Sequence, residues 1–149
     1  MSETKTYEEI LQREGRLVAI NSGTSMLPLL RQGRDVMVIE RRGEERLKKY
    51  DPVLYKSGDR YVLHRIIQVR QNDYVIVGDN CRIKEYGIKD EDILGVLTAV
   101  IRDGKRELKT DGIVCRIYAH LWVDLFPLRA ELIHMRERIK RIRRKIRRD

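Results

Sequence analysis

The sequence predicts a mainly β fold with a short N-terminal helix and a basic C-terminal helical tail. The larger, N-terminal part of the chain consists of short segments rich in β-branched and aromatic residues, separated by Gly, Asp and Asn. The pairs Gly58-Asp59 and Asn72-Asp73 are typical of the turns of β-hairpins. After Gly112 the apolar residues change to the spacing of a helix. We therefore expect a β domain over residues 1–112 and an amphipathic, basic helical segment over residues 113–149.

The first third of the β domain is expected to combine a helix, two strands and a charged loop. Apolar residues with helical spacing predict the helix, and short apolar runs predict the strands. Proline is tolerated in the first turn of a helix, because its missing N–H has no partner there in any case. The expected elements are a helix at residues 6–14, a strand at 16–22, one or two helical turns at 26–31 with Pro28 near their start, a strand at 35–40 and a charged loop at 40–51.

The remainder of the β domain is expected to consist of strands alone. Val, Ile, Leu and Tyr dominate each segment, and turn-forming residues bound it. Together with the two earlier strands, these segments give six or more strands. The expected strands lie at residues 52–57, 60–71 and 73–79, and from residue 93 to the turn at Asp103-Gly104.

The C-terminal segment has the pattern of amphipathic helices. Apolar residues recur at helical spacing after Gly112, and Pro127 is expected to break or kink the helix. Residues 113–128 either pack on the sheet or lie in a membrane interface, a position that would suit Tyr118 and Trp122. An apolar stripe then continues on a strongly basic helix, through Leu132, Met135, Ile139, Ile142 and Ile146.

The net charge of +9 comes mostly from the end of the chain. Nine Lys and Arg residues and only two acidic residues lie between Arg136 and Asp149. We expect Arg136–Arg148 to contact an anionic membrane peripherally, because cations close to a membrane surface are attracted to acidic lipids. Nucleic acid is not the expected partner, because contacts with phosphates need no apolar stripe.

The sequence gives no indication of export or of a transmembrane helix. The N-terminal residues 1–15 lack the apolar core of a signal peptide. No uncharged apolar window approaches the ~18 residues that a span requires. Cys81 and Cys115 have no CxxC spacing, which favours a reducing compartment. We expect a location in the cytoplasm or on the inner face of the membrane, and neither a metal nor another cofactor.

Three positions could carry chemistry, and each also has an ordinary structural role. Ser25 precedes a turn, where serine commonly caps a helix. His64 shares its face of a strand with Val62 and Ile66, where a histidine is commonly a core residue. Gly78-Asp79-Asn80 has the composition of a hairpin turn. Each position alone therefore favours the structural role, and only their combination indicates a function.

In combination and in order, these segments resemble the type I signal peptidase superfamily, which also contains the self-cleaving LexA-type repressors. The resemblance covers about residues 17–101. It implies a compact β catalytic core and a serine endopeptidase that cleaves an extended peptide or a precursor protein. The segments that carry it are Ser25-Met26-Leu27-Pro28, the following strand GRDVMVIE, and then DPVLYK, YVLHRI and VGDN.

The resemblance also implies roles for individual residues. Ser25 takes the place of the nucleophile. His64, in a His-Arg pair, takes the place of the general base in the branch of the superfamily that uses histidine. An acid at or shortly after the GDN turn supports the histidine in that branch, and both Asp79 and Glu85 fit this description. The residues leave the choice between these two acids open.

An oxyanion and substrate-binding site is implied at the turn around the nucleophile, with Gly23, Thr24 and Met26 as candidates. Many signal peptidases have Ser-Gly-Ser-Met at this turn, whereas this chain has Gly-Thr-Ser-Met, which is closer to the repressor branch. The chain also differs from signal peptidases in that we expect no N-terminal transmembrane helix. The alternative function is that of an inactive peptidase-like module that binds membrane or nucleic acid through its basic helix.

Overall fold

The computed structural model of the protein describes residues 6–147 and is mainly β, with an antiparallel eight-stranded sheet and three α-helices. The strands are β1 (Arg16–Ile20), β2 (Val36–Arg41), β3 (Pro52–Ser57), β4 (Arg60–Val69), β5 (Tyr74–Val77), β6 (Glu85–Ile88), β7 (Ile93–Arg102) and β8 (Arg106–Lys109). The helices are α1 (Tyr7–Glu14), α2 (Ile113–Asp124) and α3 (Phe126–Ile146), and a short 3-10 helix spans Asp90–Asp92.

The order of the strands brings distant parts of the chain together. It runs β1-β2-β7-β3-β4-β5-β6, and β8 pairs with β7. The long strand β7 joins the two halves, because it pairs with β2 and with β3. Strands β3 to β6 therefore lie side by side, and the residues at their ends can meet although up to 30 positions separate them in sequence.

The hairpin of β3 and β4 fixes which side chains share a face. Its turn is the predicted Gly58-Asp59 pair, and Gly58 has the positive φ of 60° that glycine adopts without strain. The register pairs Val53 with His64 and Leu54 with Leu63. Successive side chains of a strand point to opposite faces of the sheet, so His64 lies on the face opposite Leu63.

Both faces of this part of the sheet are covered by apolar residues. One cluster contains Leu54 and Leu63 together with residues of α1 and of the loop after Ser25. The other cluster contains Tyr55 and Ile66 together with residues of β5. Alternate residues of β3 therefore enter different clusters, which explains why the strand has a continuous apolar run rather than an alternating pattern.

Most of the predicted elements are present. Helix α1 begins with a capping box in which Thr6 and Glu9 bond to each other's backbone N–H, and the predicted strands occupy their expected segments. Pro127 marks the break between α2 and α3, as predicted. Strands β6 and β8 were not predicted. Both have only four residues, too few for alternation to be distinguished from a turn.

Residues 26–31, predicted as one or two helical turns, form turns with a single helical hydrogen bond, from Leu30 N to Met26 O at 2.9 Å. The Leu27-Pro28 peptide bond is cis. The residue before a proline is disfavoured in the helical conformation by contact with the proline ring, so the segment turns after Leu27 instead of continuing.

Helix α2 packs on the body of the protein with one face and exposes the other. Cys115, Ala119 and Val123 are buried, and Cys115 belongs to the first apolar cluster. Residues 113–128 therefore adopt the packed arrangement, one of the two that the sequence left open, while several aliphatic residues of α2 stay exposed. Among the described helices, none combines the length and the hydropathy needed to cross a bilayer.

Candidate active site

Ser25 lies in the loop between β1 and β2, against the backbone of β4. Its hydroxyl donates a hydrogen bond to the Leu63 carbonyl oxygen at 3.4 Å, and its own carbonyl accepts one from Asn80 N–H at 2.7 Å. The Leu63 carbonyl is available because β5 pairs with β4 only from Arg65 onwards. Strand β5 ends at Val77, and the loop of Ser25 lies beside β4 in its place.

Gly78 lies at the point where the Ser25 loop meets the His64 ring. A Cβ atom at this position would lie 2.8 Å from Ser25 O and 3.0 Å from His64 Cδ2. Real Cβ atoms do not make contacts as short as the first, so only glycine fits without displacement of its neighbours. The backbone of Ser25 and the His64 ring are therefore neighbours. The edge of the ring that faces Gly78 contains Cδ2, to which Nε2 is bonded.

The other edge of the His64 ring contacts a carboxylate and a tyrosine. His64 Nδ1 lies 2.8 Å from Glu85 Oε1 and 3.2 Å from the Tyr55 hydroxyl, which itself donates to Glu85 Oε1 at 2.7 Å. With Nδ1 engaged in this way, Nε2 is the nitrogen that remains for a proton from Ser25. The described hydrogen bonds do not join Ser25 to this ring, and such bonds are often loose before substrate binds.

Asp79 has a different partner from Glu85. Its two carboxylate oxygens accept bonds from Arg65 Nε and Nη2 at 2.9 and 2.8 Å, and the Tyr118 hydroxyl donates to it at 2.8 Å. Arg65 and Asp79 are 3% and 1% exposed. Of the two acids that the sequence left open, the structure brings Glu85 to His64 and places Asp79 in a buried ion pair.

The surroundings favour a neutral imidazole and a neutral phenol. Burial lowers the pKa of His64 below its ordinary value, although the Glu85 carboxylate opposes this shift. Burial, together with Glu85, raises the pKa of Tyr55 well above its ordinary value. His64 is therefore a base near neutral pH, and Tyr55 keeps the proton that it donates to Glu85.

One of the candidate oxyanion donors in the turn before Ser25 is already engaged, because Gly23 N–H donates to Asn21 Oδ1 at 3.3 Å. The turn is also held by Asn80, whose Nδ2 donates to Thr24 O at 3.2 Å. The Met26 side chain is 1% exposed and packs in the core. Within residues 6–147, Ser25 N–H has no hydrogen-bond acceptor. This N–H is therefore the donor that could stabilise an oxyanion.

Helices α2 and α3 hold the turn that contains Gly78 and Asp79. Trp122 Nε1 donates to Asp79 O at 2.7 Å, and Arg129 Nη1 donates to Gly78 O at 3.2 Å and also to Asp79 O. Tyr118 and Trp122 therefore direct their polar groups into the protein. No pattern in the sequence indicates these contacts or Tyr55, because they depend on the tertiary arrangement.

Metal binding and disulfide chemistry find no support at this site. In the described part of the chain, no group of three or more His, Cys, Asp and Glu residues is arranged to hold a metal ion. Cys81 and Cys115 are both free thiols. Burial raises the pKa of each thiol, so both favour the less reactive protonated form.

Comparison of the chain with models of protein families, with curated proteins and with solved structures finds no match.

Proposed function

We propose that this protein is a serine endopeptidase with Ser25 as nucleophile, His64 as general base and Glu85 as the supporting acid. One observation carries the proposal. His64 bonds to the Glu85 carboxylate through Nδ1 at 2.8 Å, while its opposite edge faces the loop of Ser25 across Gly78. A serine is a weak nucleophile until a base removes its proton, and this arrangement provides such a base in a fixed orientation.

The groups present account for each proton transfer. Ser25 Oγ attacks the carbonyl carbon of the peptide while His64 Nε2 takes the hydroxyl proton, and the Ser25 N–H stabilises the negative oxygen. Glu85 stabilises the imidazolium that forms and holds its tautomer. His64 then gives the proton to the leaving amine. Water hydrolyses the acyl-enzyme by the same path, with His64 as the base again.

The fold type and the substrate class belong to the same proposal. The mainly β architecture and the order of the motifs support a core of the signal peptidase type over residues 1–112. Strand β1 leads directly to the Ser25 loop, and among the described strands it pairs only with β2, so no described strand covers its other edge. An extended peptide or precursor segment can pair with this edge as an added strand, which would bring its backbone to Ser25.

Membrane association remains a prediction. The exposed aliphatic residues of α2 and the cations between Arg136 and Arg147 support it, whereas Arg148 lies outside the described residues. The location in the cytoplasm or at the inner face of the membrane depends on the same features. The alternative of an inactive binding module explains the basic helix but gives no role to the His64–Glu85 pair.

The test uses a library of peptides, because the substrate sequence is not known. Wild-type protein, Ser25→Ala and His64→Ala are each incubated with the library, and new termini are identified by mass spectrometry. Ser57→Ala is the matched control, since this serine is exposed at the end of β3. We expect cleavage by wild type and Ser57→Ala only. Equal cleavage by all four proteins, or by none, contradicts the proposal.

A further inference from the structure

Helix α3 carries an unpaired apolar seam along its length. The seam residues alternate at spacings of three and four, the pattern of the a and d positions of a coiled coil. Each of them is between 49% and 69% exposed, so the seam has no partner within the described residues. The seam consists of Leu125, the residue that precedes the helix, and of Leu128, Leu132, Met135, Ile139, Ile142 and Ile146 within it.

A groove runs between this seam and the loop of Ser25. Leu132, Met135 and Ile139 form one wall, Leu27 and Pro28 lie opposite, and the groove encloses about 570 Å³. Leu27 is only two residues after Ser25. Whatever occupies the groove therefore lies next to the loop of the candidate nucleophile.

The residues beside the seam are mostly cationic. In a coiled coil, the flanking e and g positions form ion pairs that select the partner. Taking Leu125 as an a position, the e positions are all arginines, and the g positions include one acid and two cations. The e positions are Arg129, Arg136 and Arg143, and the g positions are Glu131, Arg138 and Lys145.

This charge pattern argues against a second copy of the chain as the occupant. An antiparallel pair of α3 helices would place the e positions together, where every residue is an arginine. A parallel pair would place Arg138 against Arg143 of the other copy, although Glu131 would meet Arg136 there. Like charges therefore destabilise the antiparallel pair at every e position and the parallel pair at one contact, which disfavours both arrangements. An acidic helix would meet opposite charges instead.

The shape of the seam favours a helix over a lipid surface. A seam restricted to the a and d positions is narrower than the apolar face of a helix that lies on a broad apolar surface. Helices in a membrane interface commonly use Trp or Phe on that face, whereas the one aromatic residue of α3, Phe126, is not part of the seam. Arg129 adds a polar requirement: it is 6% exposed, it lines the groove, and its Nε has no acceptor among residues 6–147.

We infer that the groove beside the α3 seam docks an acidic amphipathic helix of another protein. The partner helix has apolar residues at heptad spacing and Glu or Asp at the flanking positions, which pair with Arg136 and Arg143 and supply an acceptor to Arg129. This interaction goes beyond the proposed peptidase activity and is measured without it. A docked partner is held beside Ser25, which suits a protein that delivers or presents the substrate.

The test uses a synthetic peptide of three heptads with Leu and Ile at a and d and Glu at e and g, labelled with a fluorophore. A second peptide carries Lys in place of each Glu. Binding to the full chain is followed by anisotropy at physiological ionic strength, ~0.15 M. We expect saturable binding of the acidic peptide, no binding of the basic one, and at least ~10-fold weaker binding to Ile139→Gln, because an apolar seam residue contributes ~1.5 kcal/mol or more.

Lys140→Gln is the matched control, because it adjoins Ile139 but lies outside the seam and the groove. Ile139 is half exposed, so the variant is expected to keep the melting temperature of wild type. Equal binding of the acidic peptide to both variants overturns the inference, since it would show charge attraction alone. Failure of the acidic peptide to bind also overturns the inference. Sedimentation would then show which occupant takes its place: a second copy of the chain, or phosphatidylserine vesicles that bind in a manner dependent on Ile139.

Discussion

Two neighbouring residues of β4, His64 and Arg65, face opposite sides of the sheet, and each binds one carboxylate from the segment after β5. Arg65 binds Asp79 in a pair from which solvent is nearly excluded, with side-chain exposures of 4% and 2%. His64 binds Glu85, whose side chain is 35% exposed. The two pairs thus have similar chemistry and very different access to water.

This difference in solvent exposure distinguishes a structural ion pair from a working pair that could exchange protons with a substrate. A buried pair with its hydrogen bonds satisfied is costly to disrupt, and Asp79 is held by Arg65 and Tyr118 while its backbone is held by Trp122. An imidazole beside a partly exposed carboxylate can gain and lose a proton. Position after the GDN turn therefore does not distinguish the two acids, whereas the partner of each acid does.

Glu85→Gln breaks the working pair and has the largest expected effect. An amide cannot stabilise the imidazolium and does not fix the tautomer of His64, so we expect kcat to fall by ~10³–10⁴-fold. The unfolding free energy should change little, because Glu85 is partly exposed. Steady-state kinetics and urea denaturation measure the two quantities. Glu91→Gln, at an exposed surface pair with Lys89, is the control, and an equal loss of kcat there would refute the role of Glu85.

Asp79→Asn breaks the structural pair. It leaves the Arg65 guanidinium buried without a counter-charge, so we expect a loss of ~3–5 kcal/mol in unfolding free energy. Urea denaturation followed by circular dichroism gives this value. Asp73→Asn, in a surface pair with Arg70, should have little effect. If Asp79→Asn is as stable as wild type but loses activity, then Asp79 rather than Glu85 supports the chemistry.

Tyr55→Phe sharpens the comparison by removing one hydrogen bond from the working pair. The Tyr55 hydroxyl donates to the same Glu85 oxygen that contacts His64. A hydrogen bond to a charged group contributes ~1.5–3 kcal/mol, so the unfolding free energy should fall by about this amount. With the competing donor gone, Glu85 acts more strongly on His64, whose pKa rises, and the acid limb of the pH profile moves to higher pH.

Tyr74→Phe is the matched control for Tyr55→Phe. Tyr74 is also fully buried and donates to a carboxylate at 2.6 Å, but this carboxylate, Asp90, pairs with Arg42 and Arg46 and not with His64. We expect it to lose stability to a similar extent while keeping the wild-type pH profile. A shift of the acid limb in both variants would mean that the effect is structural.

A structural feature of this protein can be predicted from the sequence when residues close together in the chain determine it. Most of the strands follow from local patterns, and Ser25 and His64 are candidates because of motifs in a fixed order. The choice between Asp79 and Glu85 depends on the side of the sheet to which a four-residue strand, β6, returns. Tyr55 depends on the register of a hairpin, and no local pattern encodes either of these.

The pH dependence of activity carries the smallest expected effect and probes the His64 pair directly. Burial lowers the pKa of His64, and the neutral imidazole is the active form. The acid limb of kcat/KM should therefore have its midpoint below ~6.5, the ordinary value for histidine, and log kcat/KM against pH measures it. A midpoint at or above that value would contradict the shift.

The same shift determines the sign of a stability effect. Below pH ~6.5 the unfolded chain binds a proton at His64 that the folded protein accepts less readily, so the unfolding free energy should decrease as the pH falls through that value. His64→Gln, which does not titrate, should lose this part of the decrease. Burial opposes the charge on Arg65, but the Asp79 carboxylate outweighs burial and raises the pKa of Arg65. Arg65 therefore stays charged and should contribute no such change near pH 6, so the two neighbours on β4 can be distinguished by titration alone.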